Sequence, residues 1–221
     1  MYNPYIRYVD KYFPNAVPVV DSFHVLQWVT NAIDKYIRQL IRKFKQRDRE
    51  IYEQRWHPEI MPDHIPASRE VYLLQKYRWL ILSNQANITY HSEPRMDPHF
   101  NCLMNTFDYE DSLFHIDPKL QELRDLKEMY VRFNTYNAGD PMGARLHLID
   151  KYLHSSNPIF IDFAKLLIRN HDYIINSFVM VKRHGEGRIY NSRLSNGPIE
   201  SLNRKAKDLK RLGRGYRNFE H

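Results

Sequence analysis

Apolar residues recur at three- and four-residue steps through much of this chain. Phe23, Leu26, Val29, Ile33, Tyr36, Ile37, Leu40, Ile41 and Phe44 keep that spacing for about six turns. The pattern predicts a long amphipathic helix that frays in the charged run from Lys45 to Glu53. Just before it, Ala16-Val17-Pro18-Val19-Val20-Asp21 is short, apolar and rich in β-branched residues. That predicts a buried strand with Asp21 at its carboxyl end. Further upstream, Asn3-Pro4 precedes Tyr5, Ile6, Val9, Tyr12 and Phe13. A short helix is predicted there, with Asn3 as its N-cap and Pro4 at its first position.

Pro58, Pro62 and Pro66 mark residues 54–66 as loop. Val71, Leu74, Tyr77, Trp79, Leu80 and Ile81 predict a helix over 68–83. Residues 84–117 are polar, interrupted by proline and without period, so they are expected to be the most mobile segment. Leu120, Leu123, Leu126, Tyr130 and Phe133 predict a helix over 118–135. Two more are predicted over 141–155 and 158–177. Residues 179–195 read as extended or irregular. A last helix is expected from Pro198 to Leu212, closed by Gly213. One strand among so many helices is an odd inventory, because a single strand cannot make a sheet. Either further strands lie in 179–195 and elsewhere, or part of the domain is missing.

Charge changes the picture at the C-terminal end. Residues 179–221 hold 11 Lys and Arg against 4 Asp and Glu, which is +7, the net charge of the whole chain. The preceding residues balance, 22 basic against 22 acidic. Localised positive charge of this kind points to a nucleic-acid partner or to a solvated basic tail. With only seven glycines there is no GxGxxG or P-loop pattern. Cys102 is the single cysteine, which excludes a disulfide framework and a cysteine-based zinc site, and fits a reducing compartment. No apolar run reaches the roughly 18–20 residues that span a bilayer. The opening Met1-Tyr2-Asn3-Pro4 predicts no signal peptide. A cytoplasmic, nucleoid-associated protein without a membrane partner is expected.

Three constellations carry candidate chemistry. Asp21 stands where open α/β sheets place ligands, at the carboxyl end of a buried strand, but also where a carboxylate caps the next helix. His24, one turn on, either orients that carboxylate or packs in the core. Glu200 falls in the first turn of the last helix, where the macrodipole favours a negative charge. Asn203 and Lys207 share its face, so Glu200 is either a site residue or an ordinary first-turn glutamate. Behind it, Arg204, Lys205, Lys207, Lys210, Arg211, Arg214 and Arg217 form a basic face suited to phosphates.

The order of these features resembles the DDE transposases of bacterial insertion sequences, specifically the ISL-three family. The resembling residues are Tyr5-Ile6 with Phe13-Pro14-Asn15-Ala16, then Val20-Asp21-Ser22-Phe23-His24-Val25. In the middle stand Lys76-Tyr77-Arg78-Trp79-Leu80 and Leu82-Ser83-Asn84. At the end stand Ser195-Asn196-Gly197-Pro198-Ile199-Glu200, Asn203, Lys207, Lys210-Arg211 and Gly215-Tyr216-Arg217-Asn218-Phe219. The resemblance covers most of the chain and is weakest over 84–117. It implies a mostly α chain: a partial RNase H-like (α/β) catalytic core with a large helical insertion. Residues 1–53 and 179–221 would be core, and 54–178 the insertion.

The resemblance also implies the chemistry. Asp21 matches the second metal-binding aspartate and Glu200 the final glutamate, with His24, Asn196 and Asn203 in support. Two Mg²⁺ (or Mn²⁺) ions on carboxylate oxygens would serve DNA cleavage and strand transfer at insertion-sequence ends and target. The family's first aspartate would fall immediately before Met1. A truncated, largely inactive transposase fragment is therefore expected. The rival expectation is a non-catalytic module that binds DNA, a second copy or full-length transposase as a competitor.

Overall fold

The computed structural model describes residues 11–12, 15–55, 65–136, 139–185, 187–195 and 197–212; the side chains at 197–200, 203 and 212 lie outside that description. Most of the helix expected over 3–13 and most of the loop expected over 54–66 also fall outside it. The described chain is mostly helical. It divides into two compact units, residues 1–25 with 166–221, and residues 26–165. Both divisions fall inside helices, whereas the sequence reading set its limits at 53/54 and 178/179.

The larger unit is built on α1 (Ser22–Arg55). Val29, Ile33 and Ile37 repeat at four-residue steps and are completely buried. The helix does not fray at Lys45, because its charged run is paired. Gln46 bonds Glu50 and Arg49 bonds Glu53 one turn on, and Arg47 reaches Glu70 at 2.9 Å. Asp48 accepts the Ser68 N–H at 3.3 Å.

The helix predicted over 68–83 is two, α2 (Arg69–Lys76) and α3 (Trp79–Leu82), broken at Tyr77-Arg78. The buried Lys127 ammonium donates to the carbonyls of Leu82 and Ser83, satisfying the end of α3. Lys127 is paired with Glu128 at 2.9 Å.

Residues 84–117 are where expectation and structure differ most. They form a 3-10 turn (Gln85–Asn87), the hairpin β1 (Arg95–Asp97) with β2 (Cys102–Met104), and α4 (Thr106–Ile116). Two local devices replace the missing apolar period. Asn105 and Asp108 make a reciprocal capping box at the start of α4. Asp97 gathers four donors at the hairpin.

Next come α5 (Lys119–Tyr136), α6 (Pro141–Leu153) and α7 (Pro158–Arg169). Their core is aromatic: Tyr130 meets Phe163 edge-on at 5.1 Å, and Tyr152 tilts against Phe160 at 5.0 Å. The Tyr152 hydroxyl donates to the Leu126 carbonyl at 2.8 Å, so this buried ring keeps a partner.

In the smaller unit, α8 (His171–Asn176) leads into the hairpin β3 (Met180–Gly185) with β4 (Arg188–Arg193), and then α9 (Gly197–Leu212). The helix expected over 158–177 is thus interrupted at Asn170. Gly187 takes φ +73 in the β3–β4 turn, a conformation that favours glycine. The strand expected over 16–21 does not form a ladder. Among the described residues the sheets are two separate two-stranded hairpins, so this segment has no strand beside it. Val17 stays exposed and only Val20 is buried. The described residues therefore show the helical part of the expected architecture and no larger sheet.

Candidate metal and DNA site

Asp21 is positioned by α8 and by the helix it begins. The Val20 N–H donates to the Tyr173 carbonyl at 3.1 Å, and the Asn176 side-chain amide donates to the Pro18 carbonyl at 3.0 Å. These two bonds tie the segment before α1 to the segment leading to α9. At Asp21 the backbone turns helical, and its carbonyl accepts the His24 N–H at 3.0 Å. The half-buried carboxylate accepts the Phe23 N–H through Oδ1 at 2.9 Å. Asp21 therefore caps α1, at the positive end of that helix's dipole. His24 is not a core histidine: it is exposed and lies edge-on to Phe23 at 5.7 Å.

Glu200 occupies the first turn of α9, which runs unbroken past Asn203, Lys207 and Lys210. Asn196, Arg214 and Arg217 lie outside the described residues. Arg204, Lys205, Lys207, Lys210 and Arg211 are all exposed. Asp208 stands 3.9 Å from both Arg204 and Arg211, a long and water-screened approach that leaves both guanidinium groups available. Lys205, Lys207 and Lys210 form no ion pair among the described residues. Leu202 and Leu209, also on α9, remain exposed. The hairpin before α9 is anchored by Arg193, whose guanidinium lies 4.2 Å from the Phe178 ring. Burial lowers the Arg193 pKa from its ordinary value.

Asp21 and α9 thus share one compact unit, although 179 residues separate Asp21 from Glu200. The donor chemistry suits a hard divalent cation, since both are carboxylates. Among the described residues, however, no three His, Cys, Asp or Glu side chains gather into a metal-binding group. Asp21 is the one carboxylate of the expected pair whose side chain is described, and a single carboxylate does not make a two-ion centre.

The larger unit holds features that periodicity did not reveal. An open cleft of about 370 Å³ is lined by Phe44, Glu70, Leu73, Phe100, Ser112 and His115 among others, and contains none of the expected site residues. Arg124 pairs with Glu110 at 2.6 Å, and Glu110 accepts the Tyr90 hydroxyl at 2.6 Å. The buried Lys127–Glu128 pair lies on the same helix as Arg124. Adjacent charges on a half-apolar helix were the available signal for these groups. Among the described residues no helix is long and apolar enough to cross a membrane.

A family model of the ISL3-type DDE transposases, described as Transposase, matches residues 1–221. No curated protein and no solved structure matches the chain.

Proposed function

The chain belongs to the ISL3-type DDE transposase family, and from that premise we propose that its smaller unit derives from an RNase H-like catalytic core, with the larger unit as the helical insertion. The supporting observation is that the segments bearing Asp21 and Glu200 fall in one compact unit, and residues 26–165 make up the other. In this reading the parent activity is cleavage and strand transfer of DNA at insertion-sequence ends. Asp21 and Glu200 would hold Mg²⁺ or Mn²⁺, which when bound offsets negative charge at the reacting phosphodiester. His24, Asn196 and Asn203 support those carboxylates.

The exposed cations of α9, Arg204, Lys205, Lys207, Lys210 and Arg211, engage the phosphate backbone. Arg214 and Arg217, which follow α9 in the sequence, add to its positive charge. Contacts of this kind orient DNA without reading its sequence, and each contributes to a salt-dependent affinity. Little or no strand transfer is expected of these 221 residues.

A second reading, favoured by the exposure of the α9 cations, is a non-catalytic module that binds DNA or another transposase chain as a competitor. A plasmid strand-transfer assay with Mg²⁺ or Mn²⁺ tests the first reading: robust turnover by the 221-residue polypeptide overturns the expected inactivity. For the second, duplex binding should survive Asp21→Ala with Glu200→Ala. It should be lost when Lys207, Lys210, Arg211 and Arg214 are neutralised together. Retained affinity in that last variant would make the basic face a solvated surface only.

A further inference from the structure

The balanced charge of residues 1–178 conceals a segregation. On α1 the cations Lys35, Arg38, Arg42, Lys45 and Arg49 follow one another at steps of three, four, three and four. At 100° per residue they fall within an arc of about 80° and extend over about 21 Å of helix. Val29, Ile33 and Ile37 are completely buried on the other side, which fixes this arc outward. All five cations are exposed. Arg38 is held by Asp34 and Arg49 by Glu53, both at 2.7 Å. Lys35, Arg42 and Lys45 form no ion pair among the described residues, and the neighbouring Lys43 is exposed as well. The one carboxylate between positions 35 and 49, Asp48, is buried and paired with Arg47.

We propose that this stripe is a second DNA-contacting surface, carried by the larger unit, which binds the sugar-phosphate backbone of duplex DNA independently of sequence. The inference rests on the DNA reading above and adds a surface to it. Charge complementarity identifies the occupant. A straight row of five cations, of which Asp34 and Glu53 hold only Arg38 and Arg49, matches a linear polyanion, and about 21 Å is the axial length of roughly six base pairs at 3.4 Å each. No aromatic side chain is interleaved with Lys35, Arg38, Arg42, Lys45 and Arg49 on that arc. That favours duplex backbone over unstacked single strands, which need stacking platforms. Arg38 and Arg49 keep their intrahelical partners as pre-oriented donors. Lys35, Arg42 and Lys45 carry the free charge.

The test is fluorescence anisotropy with a labelled duplex, using the whole chain at several salt concentrations. Each lost phosphate contact lowers the slope of log affinity against log salt by about 0.9. K35A/R42A/K45A is therefore expected to lower the slope by about 3 and the affinity at 0.1 M salt by roughly tenfold or more. The charge-retaining K35R/R42K/K45R should match wild type, which separates charge from folding. Circular dichroism of both variants should superimpose on wild type. If the alanine variant keeps the wild-type slope while K205A/K207A/K210A/R211A loses it, the α1 surface is refuted and the DNA reading survives. If wild type shows no salt-dependent duplex binding, both fail. Equal affinity for poly-glutamate would assign the stripe elsewhere and overturn the proposal.

Discussion

Replacing Asp97 is expected to unlock the segment that the sequence marks as mobile. Only 3% of Asp97 is exposed. Its Oδ2 accepts the hydroxyls of Tyr72 at 3.0 Å and Tyr109 at 2.7 Å. Its Oδ1 accepts the backbone N–H groups of His99 at 2.8 Å and Phe100 at 3.3 Å. Tyr109 stacks on Tyr77 at 3.8 Å and Tyr72 on His99 at 4.1 Å, so one carboxylate joins the β1–β2 hairpin to α2 and α4. Asp97→Ala leaves four donors without an acceptor. The His99 and Phe100 N–H groups border a partly exposed turn and regain water. The two tyrosine hydroxyls dominate, and at about 1–3 kcal/mol for each buried donor left unmade the loss is about 3 kcal/mol. For a chain of this size that is a fall in Tm of roughly 6–12 °C. Asp97→Asn keeps the shape and an acceptor oxygen, and should cost about 1 kcal/mol.

The same carboxylate sets a pH dependence. Burial raises the Asp97 pKa, but the hydrogen bonds, led by the Tyr109 hydroxyl, outweigh it and hold the group below its ordinary value. The folded chain therefore binds the proton less readily than the unfolded one. The stabilisation is complete above the ordinary aspartate pKa of about 4 and is lost as pH falls through the lower folded value. Thermal melts of wild type and Asp97→Ala should differ most near neutrality and converge in acid. A variant melting within about 2 °C of wild type at pH 7 would refute the reasoning. So would a gap that does not narrow below pH 4.

Lys127→Met should destabilise the larger unit by about 3–5 kcal/mol in urea unfolding, because Glu128 is then buried without its partner. Adding Glu128→Leu should recover much of that loss. A single variant indistinguishable from wild type would show that the pair contributes nothing. Asp21→Ala removes the α1 cap and should cost about 1 kcal/mol in a thermal melt, whereas Asp21→Asn keeps the cap and should cost a few tenths. Equal losses would deny Asp21 its capping role.

Much of the helical fold was legible because burial drives periodicity. The α1 stripe of Val29, Ile33 and Ile37, the α5 row of Leu120, Leu123, Tyr130 and Phe133, and the α7 row of Phe160, Phe163 and Leu167 are core faces legible in the sequence. In α6 the expected row of Leu146, Ile149 and Leu153 is not, because Leu146 and Leu153 are exposed and Leu148, Ile149 and Tyr152 face the core. The sequence reading lost the end of α1 because charged runs look frayed until their partners, Glu70 and Ser68, are known from another segment. It lost α4 because that helix rests on caps and a buried carboxylate rather than on an apolar stripe. The strand over 16–21 was over-read: β-branched composition signals a strand only where a neighbour exists to pair with it. Asp21 stands out in the sequence as the carboxyl end of an expected strand and as a cap for the next helix; the strand does not form and the cap does. Glu200 and the α9 cations stand out in the sequence by their position in the strongly basic C-terminal segment. The α1 cations went unread because they were averaged against acids facing elsewhere.

The central claim is that Asp21 and Glu200 belong to one metal-binding centre. Amide NMR of the isotope-labelled chain titrated with Mn²⁺ tests it directly, since paramagnetic broadening marks residues around the ion. The account predicts broadening at residues 20–24 and 198–204 together, abolished by either Asp21→Asn or Glu200→Gln. Broadening at one segment without the other, or persisting in both variants, would contradict it.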